Sequence, residues 1–224
     1  MRKPKFNICV ATADHIKYAE FICEEMAASA KARGTGIARR KPEYIEKKML
    51  EGKAIIALSP NGEWAGFCYI ETWSHGRYVA NSGLIVSPLF RKSGLARDIK
   101  KKIFELSISK YPNSKIFGLT TGLAVMKINS ELGYEPVTYS ELTDDDDFWK
   151  GCQSCVNFEI LMSKERKNCL CTAMLYDPEE KVKNKTKNKI WEFARQSKIY
   201  ERLLRIKQNS FMKPNPYKPT KNGK

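Results

Sequence analysis

The chain has 224 residues, of which 42% are hydrophobic and 29% charged, a balance typical of a globular protein with a sizeable core. Its longest strictly apolar run, residues 54–58, is far shorter than the roughly 20 residues that a membrane-spanning helix needs, so we expect neither a membrane span nor a secretory leader. Of the formal net charge of +15, residues 181–224 carry +12, from 14 lysines and arginines against two glutamates. Interaction with nucleic acid is therefore expected only of this C-terminal extension.

The seven cysteines are an odd number spread through apolar segments, which indicates reduced thiols rather than a disulfide framework. We therefore expect a cytoplasmic protein. The two histidines, His15 and His75, are too few for a His-Glu-x-x-His zinc protease or a multi-histidine metal centre.

The first half of the chain predicts one strand, two helices and three further strands. Residues 6–13 are typical of a short strand, and apolar positions three and four apart from Ile16 to Ala30 indicate a helix with one buried face. Pro42 suits the first position of a second helix, which closes at Gly52. Hairpin-length connections then predict an antiparallel meander. Its three strands are residues 54–58, 64–73 and 78–86.

The second half switches to helical spacing after Pro88, and this helix has Lys100, Lys101 and Lys102 among its predicted solvated positions. The elements predicted after it are a strand at 116–120, a helix at 123–132, a strand at 136–142 and a final strand pair at 156–162 and 169–176. The element order β-α-α-β-β-β-α-β-α-β-β predicts a mixed α/β (α+β) domain with a mostly antiparallel central sheet flanked by helices. We expect this domain to cover residues 1–178 and the basic extension residues 179–224.

Two charged segments each allow two interpretations. The acidic run Asp144 to Asp147 after Thr143 is typical of a helix start with carboxylates in the positive first turn; an acidic pocket for a cationic substrate is the alternative.

In the extension, apolar residues recur on one face of a basic helix predicted at about 189–207. This helix is expected to pack on its own domain or on a second copy in a homodimer; contact with RNA or a membrane surface is the alternative.

Residues 84–96 run from an apolar strand directly into a helix through the loop Arg91-x-x-Gly94-x-Ala96. A helix N-terminus carries about half a positive charge and unsatisfied N–H donors, so a pyrophosphate can bind there. Gly94 permits close approach of the phosphates, and Arg91 adds charge. A dinucleotide-binding turn is the rival interpretation, but its three-glycine spacing and its repeated parallel βαβ units are missing from the sequence.

This junction resembles the pyrophosphate loop of the GNAT superfamily of acyl-CoA-dependent N-acyltransferases, which reads Gln/Arg-x-x-Gly-x-Gly/Ala. The predicted element order matches that fold, and Leu132-Gly133-Tyr134 resembles its Leu-Gly-Phe/Tyr ending. The resemblance spans residues 5–178. Within it, four segments resemble a bacterial subgroup associated with arginine biosynthesis, through synthesis of N-acetylglutamate or N-succinylglutamate. These segments are residues 33–44, 66–71, 80–86 and 117–129.

The resemblance implies acetyl-CoA or succinyl-CoA as co-substrate and the α-amine of L-glutamate as the acceptor. We expect no metal. It implies that the pantetheine arm lies along the main chain of Leu84, Ile85 and Val86. The pyrophosphate is expected on Arg91, Lys92, Ser93, Gly94, Leu95 and Ala96. A polyamine, an antibiotic or a protein amine is the alternative acceptor. A nucleic-acid or ribosome-associated module acting through the extension is the alternative of a different class.

Glu71, at the end of the central strand, is the candidate base for the attacking amine, and a solvated strand-end carboxylate is the alternative. Many GNAT members carry a tyrosine acid four residues before the glycine of Leu-Gly-Phe, the position that Asn129 occupies here. Because an amide is no ordinary acid, three options stay open. Asn129 binds the thioester or the amine by hydrogen bonds, or Ser130 or Tyr134 donates the proton, or the thiolate leaves unaided.

In GNAT proteins the acceptor is usually selected by the loop between the first two helices and by the central strands. Arg39 and Arg40 lie in this loop, and guanidinium groups suit the two carboxylates of glutamate because they bind carboxylates bidentately. Solvated charge beside Lys41 is the alternative. Further donors expected at the substrate are Thr35, Asn81 and Ser82.

Four cysteines near the end of the domain, Cys152, Cys155, Cys169 and Cys171, allow either a zinc site or packed core thiols. A hairpin over residues 156–176 would place Cys155 and Cys171 about 15 Å apart, at about 3.4 Å per residue, which is too far for one ion. We therefore expect packed thiols.

Overall fold

The computed structural model describes residues 5–34 and 39–181. Contacts within the chain divide it into two compact units, residues 1–178 and 179–224, and the fold below is that of the first. The helix predicted at about 189–207 lies outside the described residues and stays a prediction. None of the described helices has the length and apolar character needed to cross a bilayer.

Within the described residues the first unit forms one seven-stranded sheet with six helices. The strand order is β1-β2-β3-β4-β5-β7-β6, and every neighbouring pair is antiparallel except β4 with β5. This confirms the predicted mixed, mostly antiparallel sheet flanked by helices. The strands are β1 (Asn7–Val10), β2 (Ala54–Leu58), β3 (Trp64–Trp73), β4 (Tyr78–Val86), β5 (Lys115–Thr120), β6 (Glu135–Val137) and β7 (Thr172–Tyr176). The helices are α1 (Ala19–Arg33), α2 (Pro42–Leu50), α3 (Leu95–Lys110), α4 (Leu123–Glu131), α5 (Asp146–Lys150) and α6 (Phe158–Ser163).

The two faces of β3 build two different cores, because alternate side chains of a strand point to opposite faces. Cys68 and Ile70 belong to a buried cluster that includes Ile99 of α3. Phe67 and Tyr69 belong to a second cluster, formed with residues of α1 and α2. The central sheet is therefore covered on both faces, and this accounts for the nearly continuous apolar run in β3.

Strands β4 and β5 separate along their length, and the separation creates the cleft that matters for function. Their parallel pairing covers only Tyr78 to Ala80 on β4, opposite residues 115–117 on β5. Further along β4, Gly83 has φ +65°, and a side chain on it would collide with the ring of Tyr69. Only glycine suits this bend, because it combines left-handed backbone with close packing. The rest of β4, residues 81–86, therefore runs without a β5 partner.

The predicted final hairpin is wrong. Residues 158–163 form α6 instead of a strand, and β7 lies between β5 and β6. Phe158 and Leu161, three residues apart, pack into the core, whereas Ile160 and Met162 are exposed. A short apolar run does not distinguish a period of 3.6 from a period of 2, and here the helical period applies.

Two other boundaries near this region differ from expectation. The strand predicted to reach residue 142 ends at Val137, and a short 3₁₀ turn, Tyr139–Glu141, follows. The helix predicted to start at Thr143 starts at Asp146, with Asp145 as its cap. The Asp145 carboxylate accepts a hydrogen bond from the backbone N–H of Asp147 at 3.0 Å. The acidic run is thus a helix start, as predicted, displaced along the chain.

Lys100 is not solvated as predicted but is only 2% exposed. Its ammonium group donates to Asn81 Oδ1 at 3.3 Å, and that oxygen also accepts from the Tyr134 hydroxyl at 3.0 Å. Asn81 Nδ2 in turn donates to Ser107 Oγ at 2.8 Å. The side chains form a buried polar network between β4 and α3. Burial lowers the pKa of Lys100 to about 8, because desolvation penalises its charged form.

This lowered pKa predicts a specific pH dependence of stability. The unfolded chain holds the Lys100 proton up to its ordinary pKa of 10.5, whereas the folded chain releases it near pH 8. Between these values the unfolded state binds more protons, so the contribution of Lys100 to stability rises with pH, by up to about 3 kcal/mol. Urea unfolding of wild type and Lys100→Met at pH 7 and pH 10 measures it. The free energy of unfolding of the wild type should rise relative to that of the variant as pH rises. The same difference in free energy at pH 7 and pH 10 would contradict a buried lysine that titrates.

Candidate active site

The centre of the candidate site is Glu71, a carboxylate on β3 that is only 4% exposed. It pairs across the sheet with Ala80, the last residue of β4 that is still joined to β5. The Tyr44 hydroxyl donates to Glu71 Oε1 at 2.5 Å, and Arg40 Nη2 donates to the same oxygen at 3.1 Å. No hydrogen-bond partner of the other oxygen, Oε2, is found among the described residues. The carboxylate is thus held on one side and open on the other.

The groups around Glu71 form one aromatic and basic cluster on the α2 face of the sheet. Arg40 Nε donates to the Tyr69 hydroxyl at 3.2 Å. Burial and the charge of Glu71 raise the pKa of both Tyr44 and Tyr69, so the two phenols stay neutral. Lys48 of α2 also lies within reach of this charge, and burial lowers its pKa. Burial of a carboxylate is costly unless an ion pair and hydrogen bonds compensate its charge. Arg40 provides the ion pair, and Tyr44 provides a hydrogen bond.

Asn129 on α4 is the second polar group beside the separating strands. It is 1% exposed, and its Oδ1 is buried without a hydrogen-bond partner among the described residues. Its Nδ2 lies 3.7 Å from Met174 Sδ, and a Cβ at Gly118 of β5 would approach Nδ2 to 3.8 Å. An orphaned buried amide oxygen costs about 1–3 kcal/mol, so it marks a place where a ligand donor can bind.

Several predicted site residues are placed elsewhere. Tyr134 is 2% exposed and its hydroxyl is bound to Asn81, so both side chains belong to the core network with Lys100. This placement does not favour Tyr134 as an acid or Asn81 as a substrate donor. Ser130 is exposed on α4. Ser82 pairs with Tyr69 and shares its face of the sheet, whereas Thr35 lies outside the described residues.

The two predicted arginines have different surroundings. Arg40 is 17% exposed and committed to Glu71 and Tyr69. Arg39 is exposed, and its backbone N–H donates to Ser154 Oγ at 3.0 Å, which ties this segment to the region between α5 and α6. The structure therefore brings Arg39, Arg40 and Glu71 into one region. The predicted alternative of plain solvated charge does not describe Arg40.

The loop before α3 has the geometry of an anion cradle. Gly94 caps the helix with φ +92°, and Lys92 also has a positive φ of +63°. The backbone N–H groups of Lys92, Ser93 and Gly94 have no acceptor among the described residues. The Arg91 side chain, however, folds back onto α1, where Nη2 donates to Ser29 Oγ at 2.7 Å. The cradle therefore consists of main-chain donors and the helix terminus, with Arg91 holding the loop in place.

Sequence reasoning missed three residues of the cluster: Tyr44, Tyr69 and Lys48. Tyr44 follows Arg40 by four residues, but helix α2 begins between them. Their spacing in the sequence therefore did not indicate that both side chains contact the same carboxylate. Tyr69 precedes Glu71 by two residues and therefore lies on the same face of β3. That period-two relation is the one sequence signal that pointed to Tyr69.

Comparisons with known proteins give similarities of sequence and of fold. No protein-family model matches the chain. It is 29% identical over 144 residues to thialysine N-ε-acetyltransferase from Caenorhabditis elegans, which covers 63% of this chain and 87% of that protein.

Two solved structures share the fold. One is N-acetylglutamate synthase from Neisseria gonorrhoeae, complexed with coenzyme A and N-acetyl-glutamate, with TM-score 0.55 and 15% identity over 79% of this chain. The chain spans only 36% of the length of that protein. The other is diaminobutyrate acetyltransferase from Paenibacillus lautus, in complex with L-2,4-diaminobutyric acid and coenzyme A. Its TM-score is 0.52 at 8% identity, over 78% of this chain and 96% of that one.

The chain thus has the fold of GNAT-type N-acetyltransferases, and its sequence is similar to that of an acetyltransferase. The predicted resemblance to that superfamily, including its N-acetylglutamate synthases, is confirmed at the level of the fold.

The cradle yields a prediction for Gly94→Ala. A side chain at φ +92° costs about 1 kcal/mol and distorts the free N–H groups, so we expect coenzyme A to bind about ten-fold more weakly, as measured by calorimetry. Gly62→Ala is the matched control, because Gly62 also has a positive φ of +80° but lies in the β2–β3 turn. Equal coenzyme A affinity in both variants would refute the cradle.

Proposed function

We propose that the protein transfers the acetyl group of acetyl-CoA to the α-amine of L-glutamate. The observation that carries this proposal is the one-sided contact of Glu71, whose Oε1 is occupied by Tyr44 and Arg40 while Oε2 has no partner among the described residues. A buried carboxylate with one open oxygen, next to the point where β4 leaves β5, suits a base for an attacking amine.

The chain offers two places for the donor. The N–H groups before α3 suit the pyrophosphate, and the free edge of β4 at Leu84, Ile85 and Val86 suits the pantetheine arm. Acetyl-CoA, when bound, supplies an electrophilic thioester. At the position of the tyrosine acid common in this superfamily, Asn129 Nδ2 is the group that can donate a hydrogen bond to the thioester oxygen. The unsatisfied Oδ1 can only accept, and it suits an N–H of a bound ligand.

Glu71 accepts the proton that the acceptor amine must lose when its nitrogen attacks. Tyr44 and Arg40 fix the carboxylate in one orientation, because both donate to Oε1. The proton then resides on Oε2, the oxygen that the protein leaves open.

The charge of the surroundings supports an acceptor with carboxylates. Arg40 and Lys48 lie close to Glu71, and Arg39 and Lys41 are the neighbours of Arg40 along the chain. Arg39 is free to bind a carboxylate, and the guanidinium fork suits bidentate contact. Glutamate carries one primary amine, which the open oxygen of Glu71 can deprotonate. It also carries two carboxylates, which the nearby cations can bind.

A second acceptor class has an observation in its favour. The C. elegans relative is named for thialysine, whose side chain carries a primary amine, and the P. lautus structure contains a diamine. A carboxylate such as Glu71 also attracts a cationic amine. We therefore keep a lysine-like or diamine acceptor as the competing proposal.

The product of a competition assay decides between the two acceptors. Purified protein receives glutamate, lysine and 2,4-diaminobutyrate together with equimolar acetyl-CoA and succinyl-CoA, and mass spectrometry identifies the products. We expect N-acetylglutamate. N-succinylglutamate would change the donor, and acylated lysine or diaminobutyrate alone would overturn the glutamate proposal.

The role of Glu71 predicts a loss of turnover in Glu71→Gln. The amide keeps the shape of the side chain but cannot take the proton, so kcat should fall about 10²- to 10⁴-fold while coenzyme A affinity stays within about two-fold. Glu63→Gln, the same change on the exposed turn before β3, is the control and should keep wild-type kcat. A kcat for Glu71→Gln near that of the control would remove Glu71 from the chemistry.

A further inference from the structure

The four cysteines of the last third of the domain surround one small cavity. Cys152, Cys155, Cys169 and Cys171 all line a cavity of about 30 Å³ between β5 and α6. The hairpin that would have kept Cys155 far from Cys171 does not exist, because residues 158–163 form α6. The predicted separation of about 15 Å between Cys155 and Cys171, at about 3.4 Å per residue of a hairpin, is therefore wrong.

Local backbone structure presents the thiols in two pairs. The first pair lies in the 3₁₀ turn Gly151–Ser154 and just after it, closed by a hydrogen bond from Cys155 N to Cys152 O at 2.9 Å. The backbone N–H of Asn157 donates to Cys155 Sγ at 3.4 Å. The second pair precedes β7, and the Tyr139 hydroxyl holds it by donating to Cys171 O at 2.8 Å.

Since all four cysteines line this one cavity, their thiols lie close to one another. All four are free thiols in the described residues. Their cluster has no role in the acetyl-transfer chemistry proposed above.

The other side chains around the cavity are neutral. They are Leu119, Tyr139, Asn157, Phe158 and Leu161. A cavity lined by four sulfurs suits a cation such as Zn²⁺, because thiolates are ligands that this ion prefers.

We propose that Cys152, Cys155, Cys169 and Cys171 bind one Zn²⁺ ion as four thiolates. Binding forms four Zn–S bonds of about 2.3 Å and releases four thiol protons to water, with no change of oxidation state. Among the described residues, no three His, Cys, Asp or Glu side chains already stand at the distances of a bound ion. The thiols must therefore turn inward about their Cα–Cβ bonds to sulfur separations of about 3.8 Å. Four protein ligands leave no open position, so the ion is structural.

The site would stabilise one wall of the acceptor region. Ser154, between the first two cysteines, accepts the hydrogen bond from the backbone of Arg39, and a Cβ at Gly151 would lie 3.6 Å from Arg40 Nη2. The zinc ion thus fixes the segment on which the two arginines rest. Metal binding itself does not depend on the proposed acceptor, so its test stands apart from the assay of the product.

The experiment is elemental analysis of the full chain, purified without a histidine tag or chelator. We expect one zinc per chain by inductively coupled plasma mass spectrometry, and less than about 0.2 in Cys152→Ser and in Cys171→Ser. Cys9→Ser and Cys23→Ser are the controls, since these cysteines lie away from the cavity and should leave the zinc content unchanged. Cobalt added to the metal-free chain should give the visible absorption of a tetrahedral tetrathiolate.

Other outcomes would overturn the proposal. These are wild-type protein that holds no zinc after equilibration with it, a disulfide between any two of the four cysteines in reduced preparations, or stoichiometric iron in place of zinc. If the serine variants are insoluble, the metal content of the wild type and its cobalt spectrum decide alone. Rapid reaction of all four thiols with Ellman's reagent, unchanged by added zinc, would also contradict a bound ion.

Discussion

The compensation of one buried carboxylate organises the centre of this protein. Glu71 is placed by β3 inside the sheet, where an unpaired charge is costly, and the cost is offset by Arg40 and Tyr44 from the segment that begins α2. That contact fixes the first half of the chain against the sheet at the point where β4 and β5 separate. The same contact leaves Oε2 open. The side chains that compensate the buried charge therefore also leave one oxygen available for the proposed chemistry.

The sequence predicted the features that depend on local pattern. The meander β2 to β4, the helix α3 and the loop at Gly94 follow from apolar periodicity and from a glycine between a strand and a helix. These features place an anion cradle beside a free strand edge. Glu71 was also predicted as a candidate base, because it ends an apolar strand.

The features that the sequence did not predict depend on contacts between distant residues. Lys100 occupies a helix position that looks solvated, yet Asn81 and Tyr134 provide hydrogen bonds that allow its burial. The segment 158–163 is too short for the spacing of its apolar residues to distinguish a helix from a strand. Because it forms a helix, the four cysteines near it line one cavity instead of lying along a hairpin. In both cases tertiary partners, rather than propensity, decide the outcome.

The central claim is that Glu71 Oε2 receives the proton of the acceptor amine, and a crystal structure with coenzyme A and L-glutamate tests it most directly. The account predicts the glutamate α-amine nitrogen within hydrogen-bond reach of Glu71 Oε2, about 2.6–3.2 Å, with the coenzyme thiol between β4 and β5. An amine bound away from Glu71, with Oε2 still unoccupied by substrate, would contradict it.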